Sequence, residues 1–526
     1  MTAVRLNALD AAWLFTESRA TPNHVGGLLT FRLPEGAPTD YLRRMMVEFR
    51  SHRSFAAPWN RRLKWAFNKN PVPAWVESDD LDLEYHVRHA ALPWPGGERE
   101  LGELVGRLHS TPIDLARPPW ECTIIEGLEG GRFAFFIKMH HSLIDGVSGM
   151  NMLQRTMSTD RERSLNLPPF WATGSGEAAS RPARARPSPS MANATAAAIE
   201  GLSEQAKSLP QLAAAFGKIL KRIGDPSDGM AVPFDAPRSA LNGRVREKRR
   251  FATQQFAMTR LRAVAEAGGG TLNDVVLTLC GGALRRFLLE RGELPEKTLT
   301  AGIPVSVRPQ GDEGTGNAIS FIVASLGTDV EDPLERMQAI RSSVRHAKAH
   351  VQSLPRQAML QYTMLLMAPT IVTLLTGIGG RTPPMFNCTI SNVPGPDKPL
   401  YYRGAELLSI FPASIVSHGQ ALNITCESYN GTMNFGFTAC HTSVPRVQKL
   451  AVYMADAMAE LEALLLPESA AGKAAPKAAS RAPRKTVSKT TATTAPEPAA
   501  RAAPVKRARP PAAPRRATRP PGKASR

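Results

Sequence analysis

Two histidines stand side by side at positions 140 and 141, at the end of the aromatic and β-branched run FAFFIKM. Ser142, Leu143, Ile144, Asp145 and Gly146 follow them. An imidazole titrates close to neutrality, so a ring held at a strand end can take a proton from a hydroxyl group and hand it on without large pKa tuning. Asp145 falls where a helix is expected to begin, a position that favours negative charge. It either orients a neighbouring histidine or pairs with a cation, and spacing alone does not choose between the two. Other histidine pairs carry less. His86 and His89 would face opposite sides of a strand, and His346 and His350 lack the glutamate of a zinc-binding HExxH on a helix read as a solvated face, so no metal site is expected. Five cysteines, Cys122, Cys280, Cys388, Cys426 and Cys440, are widely spaced with no CxxC among them, which argues against a zinc ribbon or disulfide framework and for a reducing compartment.

The elements that must position the histidines follow from periodicity. Residues 133–139 read as a buried strand, paired through a turn at Glu129, Gly130 and Gly131 with residues 121–126 (ECTIIE). After the motif, Val147, Met150, Leu153 and Met157 recur on one face of a helix. Residues 40–49 and 98–109 are also helical, and Trp120 is a core anchor. Residues 168–191, rich in Pro, Ala, Ser, Gly and Arg, form a linker, and residues 192–223 are helical in composition with a break at Pro210. Beyond it, Thr259 and Thr271 are expected N-caps, with Asp274 three past Thr271 as its acidic partner. The helix from Leu272 turns Val275, Val276, Leu279, Ala283, Phe287 and Leu288 inward. Asn273 lies in its first turn, either as part of a simple cap or with its amide aimed at developing negative charge. A strand over residues 298–307 ends at Arg308, and a helix follows over residues 332–352. Residues 357–380 carry no charge and read as two helices broken at Pro369, with an apolar face that meets lipid or packs as core. Four strands then cover residues 385–391, 407–415, 421–428 and 431–439, and Pro445 opens a final helix.

The chain has 526 residues, enough for two large domains, and a formal charge of +19. Residues 471–526 hold 15 Lys and Arg against the single acid Glu497, so the body carries only 19 − 14 = +5. That tail has ten prolines and no aromatic residue, and it cannot pack a core. Its charges suit an anionic lipid surface or nonspecific nucleic-acid contact. A passive solubilising extension is the third possibility. The N-terminus lacks the charged and apolar regions of a secretory signal, so a cytoplasmic protein is expected.

The pattern HHxxxDG at residues 140–146 resembles the signature of CoA-dependent acyltransferases and of peptide-synthetase condensation domains. Residues 9–31 (LDAAWLFTESRATPNHVGGLLTF), 83–93 (LEYHVRHAALP), 117–121 (RPPWE), 272–277 (LNDVVL), 304–308 (PVSVR) and 391–396 (SNVPGP) resemble, in order, the bacterial wax ester synthase/acyl-CoA:diacylglycerol acyltransferase family. The resemblance spans roughly residues 1–466 and implies a mixed α/β fold of two chloramphenicol-acetyltransferase-like domains. These are residues 1–165 and 250–466, with a linker at 166–249 and a disordered basic tail at 467–526.

The same resemblance implies that acyl-CoA is the acyl donor with no further cofactor, that diacylglycerol or a fatty alcohol is the acceptor, and that the enzyme is peripheral to the inner membrane or to lipid inclusions. It makes His141 the general base, His140 a loop-shaping residue, and Asn273 a lining residue of the site. Gly146 supports the loop, and Arg308 is the candidate that holds Asp145. The run Arg244 to Arg250 is then a solvated strand edge, a nucleic-acid patch or a rim attracting CoA phosphates. Two other classes compete: a carrier-dependent condensation enzyme, which should travel with a carrier domain, and a noncatalytic granule or nucleic-acid-binding protein working through its tail.

Overall fold

The computed structural model describes residues 4–6, 8–66, 70–144, 146–173, 231–306, 319–353, 362, 366, 369, 372–373 and 376–466. Asp145, Arg308, the helix expected over residues 192–223, most of the 357–380 stretch and the basic tail lie outside them.

In the N-terminal half the elements run β1 (Val4–Arg5), α1 (Ala8–Phe15), β2 (His24–Arg32), α2 (Tyr41–Ser51), β3 (Arg61–Ala66), β4 (Asn70–Glu77), α3 (Leu83–His86), β5 (Val87–Ala91), α4 (Glu98–Ser110), β6 (Trp120–Leu128), β7 (Arg132–His140), α5 (Gly146–Arg155) and α6 (Arg161–Ser164). The C-terminal half continues with β8 (Arg249–Ala257), α7 (Met258–Ala267), α8 (Leu272–Leu289), β9 (Thr300–Ser306), β10 (Ile319–Ser325), α9 (Pro333–Gln352), β11 (Cys388–Val393), β12 (Tyr401–Tyr402), β13 (Ala405–Ala413), β14 (Leu422–Tyr429), β15 (Thr432–Cys440) and α10 (Gln448–Leu465).

Two mixed six-stranded sheets organise the chain, ordered β12-β13-β2-β7-β6-β5 and β10-β9-β11-β14-β15-β8. In the first, only β5 and β6 are parallel; in the second, β11 runs parallel to both β9 and β14. β12 and β13 come from the C-terminal half yet complete the N-terminal sheet, with Leu29 opposite Ile410 and Gly27 opposite Pro412. The two sheets also meet where β13 lies across β15, so close that a Cβ on Gly436 would sit 1.9 Å from the Pro412 oxygen. Helix α4 lies on β8, where a Cβ on Gly102 would meet the Phe251 oxygen at 2.6 Å.

On β7 the side chains alternate, as a pleated strand requires. Phe133, Phe135, Ile137 and Met139 enter an aromatic core with Trp59, Trp120 and Trp171, whereas Ala134 and Phe136 face a smaller cluster under α4. The C-terminal core packs β-sheet against α8, α9 and α10, and the inward set expected for α8 is buried throughout.

Several local expectations need correction. Phe170 and Trp171, expected in a linker, are 2 % and 0 % exposed and pack edge-on against Trp59 and Phe49; two large aromatics outweigh the loop-like composition around them. Thr259 is not an N-cap, because α7 begins at Met258 with Ala257 in the cap position. Thr271 is the cap of α8, accepting from the Asp274 N–H while the Asp274 carboxylate accepts from the Thr271 N–H. The final helix begins at Gln448, after a turn that follows Pro445. His346 and His350 are half-buried, the His350 ring lying 5.6 Å from Tyr362, so that helix face is not simply solvated. His86 ends α3 and donates from Nδ1 to the Trp120 oxygen at 2.8 Å, while His89 lies on β5. The 244–250 run is only partly a solvated edge: Arg249 is 5 % exposed and donates to the Ala20 oxygen at 2.7 Å, and Arg244 holds the Gly377 oxygen at 2.6 Å. Among the described residues no helix is long and apolar enough to cross a membrane.

Candidate active site

β7 carries its alternation to the histidines. On the face of Ala134 and Phe136 the next two side chains inward are Lys138 and His140, so an apolar face becomes polar at the strand's end. His140 is wholly buried. Its Nδ1 accepts from the Ser142 N–H at 3.2 Å and lies 2.6 Å from Ser142 Oγ, and its Nε2 lies 2.9 Å from Glu17 Oε2. A ring whose Nδ1 accepts from a backbone N–H carries its proton on Nε2, where it donates to the carboxylate. Both nitrogens of His140 are thus engaged inside the protein. Its own N–H donates to the Pro119 oxygen, which is how the RPPWE stretch meets the motif.

His141 is placed differently. Its N–H donates to the Asn23 oxygen at 2.9 Å, its side chain is half-buried, and its ring stacks on Trp13 of α1 with centroids 4.3 Å apart and planes 30° from parallel. Asn23 Nδ2 in turn donates to the Trp13 oxygen at 2.7 Å and to Thr16 Oγ1 at 3.0 Å, so one side chain ties α1 to the histidine turn. The turn is closed by the Leu143 N–H donating to the His140 oxygen, and α5 starts at Gly146, where an added Cβ would meet nothing within 4 Å.

Behind His140 lies a buried polar network that the motif gives no sign of. Lys138 Nζ pairs with Glu121 Oε2 at 3.1 Å and donates to the oxygens of Leu108 and Thr111. Burial lowers the Lys138 pKa and the Glu121 carboxylate raises it part of the way back. Tyr85 Oη donates to Glu121 Oε1 at 2.9 Å. His24, opposite His140 on β2, donates from Nε2 to the His109 oxygen at 2.9 Å, and His109 donates to the Ser414 oxygen at 3.2 Å. Burial holds His24 well below its usual pKa and pushes His109 down to about 3, so both are neutral at physiological pH.

Of the residues singled out from sequence, His140, His141 and Gly146 come together at the β7–α5 turn. Asn273 is half-buried in the first turn of α8, beside a cap that Thr271 and Asp274 form without it. Asp145 and Arg308 lie outside the described residues. Trp13, Glu17, Asn23 and Ser142 were not singled out, although all but Ser142 fall in the 9–31 stretch. Their signal was one of position in a motif, not of chemistry. A cleft of about 450 Å³ lined by Thr30, Arg32, Arg132 and Gln255 opens at the opposite end of β2 and β7 from His140. The strand between spans roughly 26 Å, so that cleft is not the histidine site. Among the described residues no group of His, Cys, Asp and Glu could hold a metal.

Comparison with known proteins gives this geometry a family. The profile of the wax ester synthase/diacylglycerol acyltransferase catalytic domain matches residues 6–276, and that of the family's C-terminal domain matches residues 315–462. A putative diacylglycerol O-acyltransferase of Mycobacterium tuberculosis is 42 % identical over 489 residues, covering 88 % of this chain and 98 % of the relative. The O-acyltransferase WSD of Acinetobacter baylyi is 37 % identical over 462 residues, covering 88 % and 97 %. The solved wax ester synthase/diacylglycerol acyltransferase from Marinobacter aquaeolei VT8 superposes with a TM-score of 0.70 at 36 % identity, over 88 % of this chain and 99 % of that one. The first condensation domain of the calcium-dependent antibiotic synthetase, 17 % identical with a TM-score of 0.52 over 88 % and 96 %, shares the fold. The chain belongs to the wax ester synthase/diacylglycerol acyltransferase family and is an acyltransferase.

Proposed function

We propose that this chain moves a long-chain acyl group from acyl-CoA to the hydroxyl of diacylglycerol or of a fatty alcohol, with His141 as general base. One observation carries the choice of base: His140 is sealed with both ring nitrogens engaged, whereas His141 is only partly buried and stacks its ring on Trp13. In the reaction, His141 takes the acceptor's proton as its oxygen attacks the thioester carbonyl. The tetrahedral oxyanion collapses, the C–S bond breaks, and the CoA thiolate recovers the proton from the imidazolium. Asn273, at the start of α8, is the proposed donor to the oxyanion. Asp145 holds the loop through Arg308, and Gly146 leaves the space beside it open. Acyl-CoA is a substrate, and no other cofactor takes part. The enzyme works peripherally at a membrane or lipid inclusion, with its basic tail on anionic lipid or, nonspecifically, on nucleic acid.

The test measures CoA release from palmitoyl-CoA with diacylglycerol or hexadecanol. His141→Ala loses about 10²–10⁴-fold in turnover with an unchanged melting curve, and turnover near the unsubstituted level would refute the assignment. The ratio of the two acceptor rates decides which ester this chain makes.

A further inference from the structure

Glu427 is a carboxylic acid at the joint between the halves, outside the histidine turn, and the mechanism above does not use it. It lies on β14 and is 0 % exposed. Gln154 of α5 reaches across from the N-terminal half and donates from Nε2 to Glu427 Oε1 at 2.7 Å. On the sheet, Glu427 stands opposite Asn434 of β15 and beside Val393 of β11. The SNVPGP segment closes over it: a Cβ on Gly395 would come within 3.2 Å of Glu427 Oε1 and 2.2 Å of the Ser428 oxygen. Asn434 is itself fully buried, its Oδ1 accepting from Gln255 Nε2 at 2.7 Å.

α5 begins at Gly146, five residues past His141. Its near side rests on β2, where Gly27 has no side chain because a Cβ would sit 2.9 Å from Met150 Sδ. Gln154 lies in its last turn and makes a side-chain hydrogen bond from the helix to the C-terminal sheet. We propose that Glu427 is a positioning residue: the Gln154–Glu427 hydrogen bond pins α5 to the C-terminal sheet and thereby fixes the turn that presents His141. This rests on the reading of His141 as the base.

The acid's surroundings determine how it does so. Among the described residues no cation pairs with Glu427 and its Oε2 has no hydrogen-bond partner; the neighbouring Cys426 thiol on the same strand is itself pushed up by burial and stays protonated. Burial pushes the carboxyl from the usual glutamate value of 4.5 up to about 8, with the Gln154 bond drawing it partly back. Glu427 therefore serves as a neutral acid at physiological pH. Once ionised, the carboxylate keeps the Gln154 bond but has no cation to offset its desolvation, so the charged form disfavours the closed joint. The folded protein keeps this proton over the range where the unfolded chain has released it, so the contribution to stability is full below pH 4.5 and is lost as pH rises from there to about 8.

The experiment measures kcat and KM of the full chain between pH 6 and 9.5, together with melting midpoints, for Glu427→Gln, Glu427→Ala, Gln154→Ala and the double alanine variant. A misplaced base costs turnover more than binding, so each alanine variant loses about tenfold or more in kcat with KM within about twofold. The double variant is no worse than either single one. Glu427→Gln keeps the neutral geometry, holds at least half the kcat at pH 7 and does not share the wild-type decline through pH 8. Its melting midpoint exceeds the wild type's by a margin that widens from pH 5 to 8. Wild-type kcat in the alanine variants, single losses that multiply in the double variant, or an unaltered alkaline decline in Glu427→Gln would each overturn the proposal. His141→Ala in the same assay keeps the two ideas apart. If it still turns over, the base assignment has failed. If it is inactive while the Glu427 variants match wild type, only the positioning role is lost.

Discussion

Lys138→Met is the perturbation whose cost can be worked out most directly. The ammonium lies 3.1 Å from Glu121 Oε2, the two side chains are 2 % and 8 % exposed, and Nζ also donates to the oxygens of Leu108 at 3.1 Å and Thr111 at 2.7 Å. Removing one partner of a buried pair strands the other charge at a cost of about 3–5 kcal/mol, while the two carbonyls add little, because the Leu108 oxygen keeps the Thr111 N–H and Thr111 is exposed to water. Against this, Tyr85 Oη at 2.9 Å and Arg88 at 3.4 Å still face Glu121 Oε1 and stabilise the orphaned carboxylate. The expected loss is therefore about 4 kcal/mol, a large fraction of the 5–15 kcal/mol by which a folded domain is stable. Urea unfolding followed by tryptophan fluorescence reads it, since Trp59, Trp120 and Trp171 are all fully buried in the core on the other face of this sheet. Lys138→Met combined with Glu121→Leu removes the whole pair and should recover at least half the loss. A single variant within about 1 kcal/mol of wild type, or a double variant less stable than the single, would refute this account of the network.

Acid should loosen the same region. Burial depresses His86 to about 4 and His109 to about 3, so the unfolded chain binds protons that the folded one refuses. The stability they contribute is full above pH 6.5 and falls as pH drops toward 4, by about 1.4 kcal/mol per pH unit for each ring; denaturation midpoints at pH 7, 5.5 and 4.5 check it. Cys122, Cys280, Cys388 and Cys426 are buried with their thiols pushed up by desolvation, and a thiol reagent should label none of them until the protein is unfolded. Gly102→Ala drives a methyl group to 2.6 Å from the Phe251 oxygen and should destabilise by about 1–3 kcal/mol in a thermal melt, although alanine favours a helix elsewhere.

The parts of the fold that could be read from sequence were those governed by local rules. The β6–β7 hairpin, the inward face of α8, the Thr271–Asp274 cap and the strand series of the C-terminal half all follow from periodicity and turn chemistry. Phe170 and Trp171 failed that rule because two residues packed by distant partners were surrounded by loop-forming ones. Which sheet a strand joins is not a local property, and nothing in residues 405–413 announces that they pair with β2. At the site, two adjacent histidines were conspicuous, but their opposite environments depend on Glu17 and Trp13, over a hundred residues earlier. Lys138 and Glu121 sit at inward positions of strands that otherwise read as apolar, and a charged residue there is the one local hint of the network.

The crossing of β13 sets a timetable for biosynthesis. The Thr30 and Ser409 hydroxyls that meet across β2 and β13 are 379 residues apart in the chain. At ribosomal speeds of about 5–20 residues per second, the outer edge of β2 waits roughly 20–75 s for its neighbour to emerge. Throughout that wait Leu28, Leu29 and Phe31 lie on a strand with one edge unpaired, the kind of edge that recruits other nascent chains. Stalled or prematurely terminated products should therefore precipitate or bind chaperones, and expression of the first 165 residues alone should yield inclusion bodies.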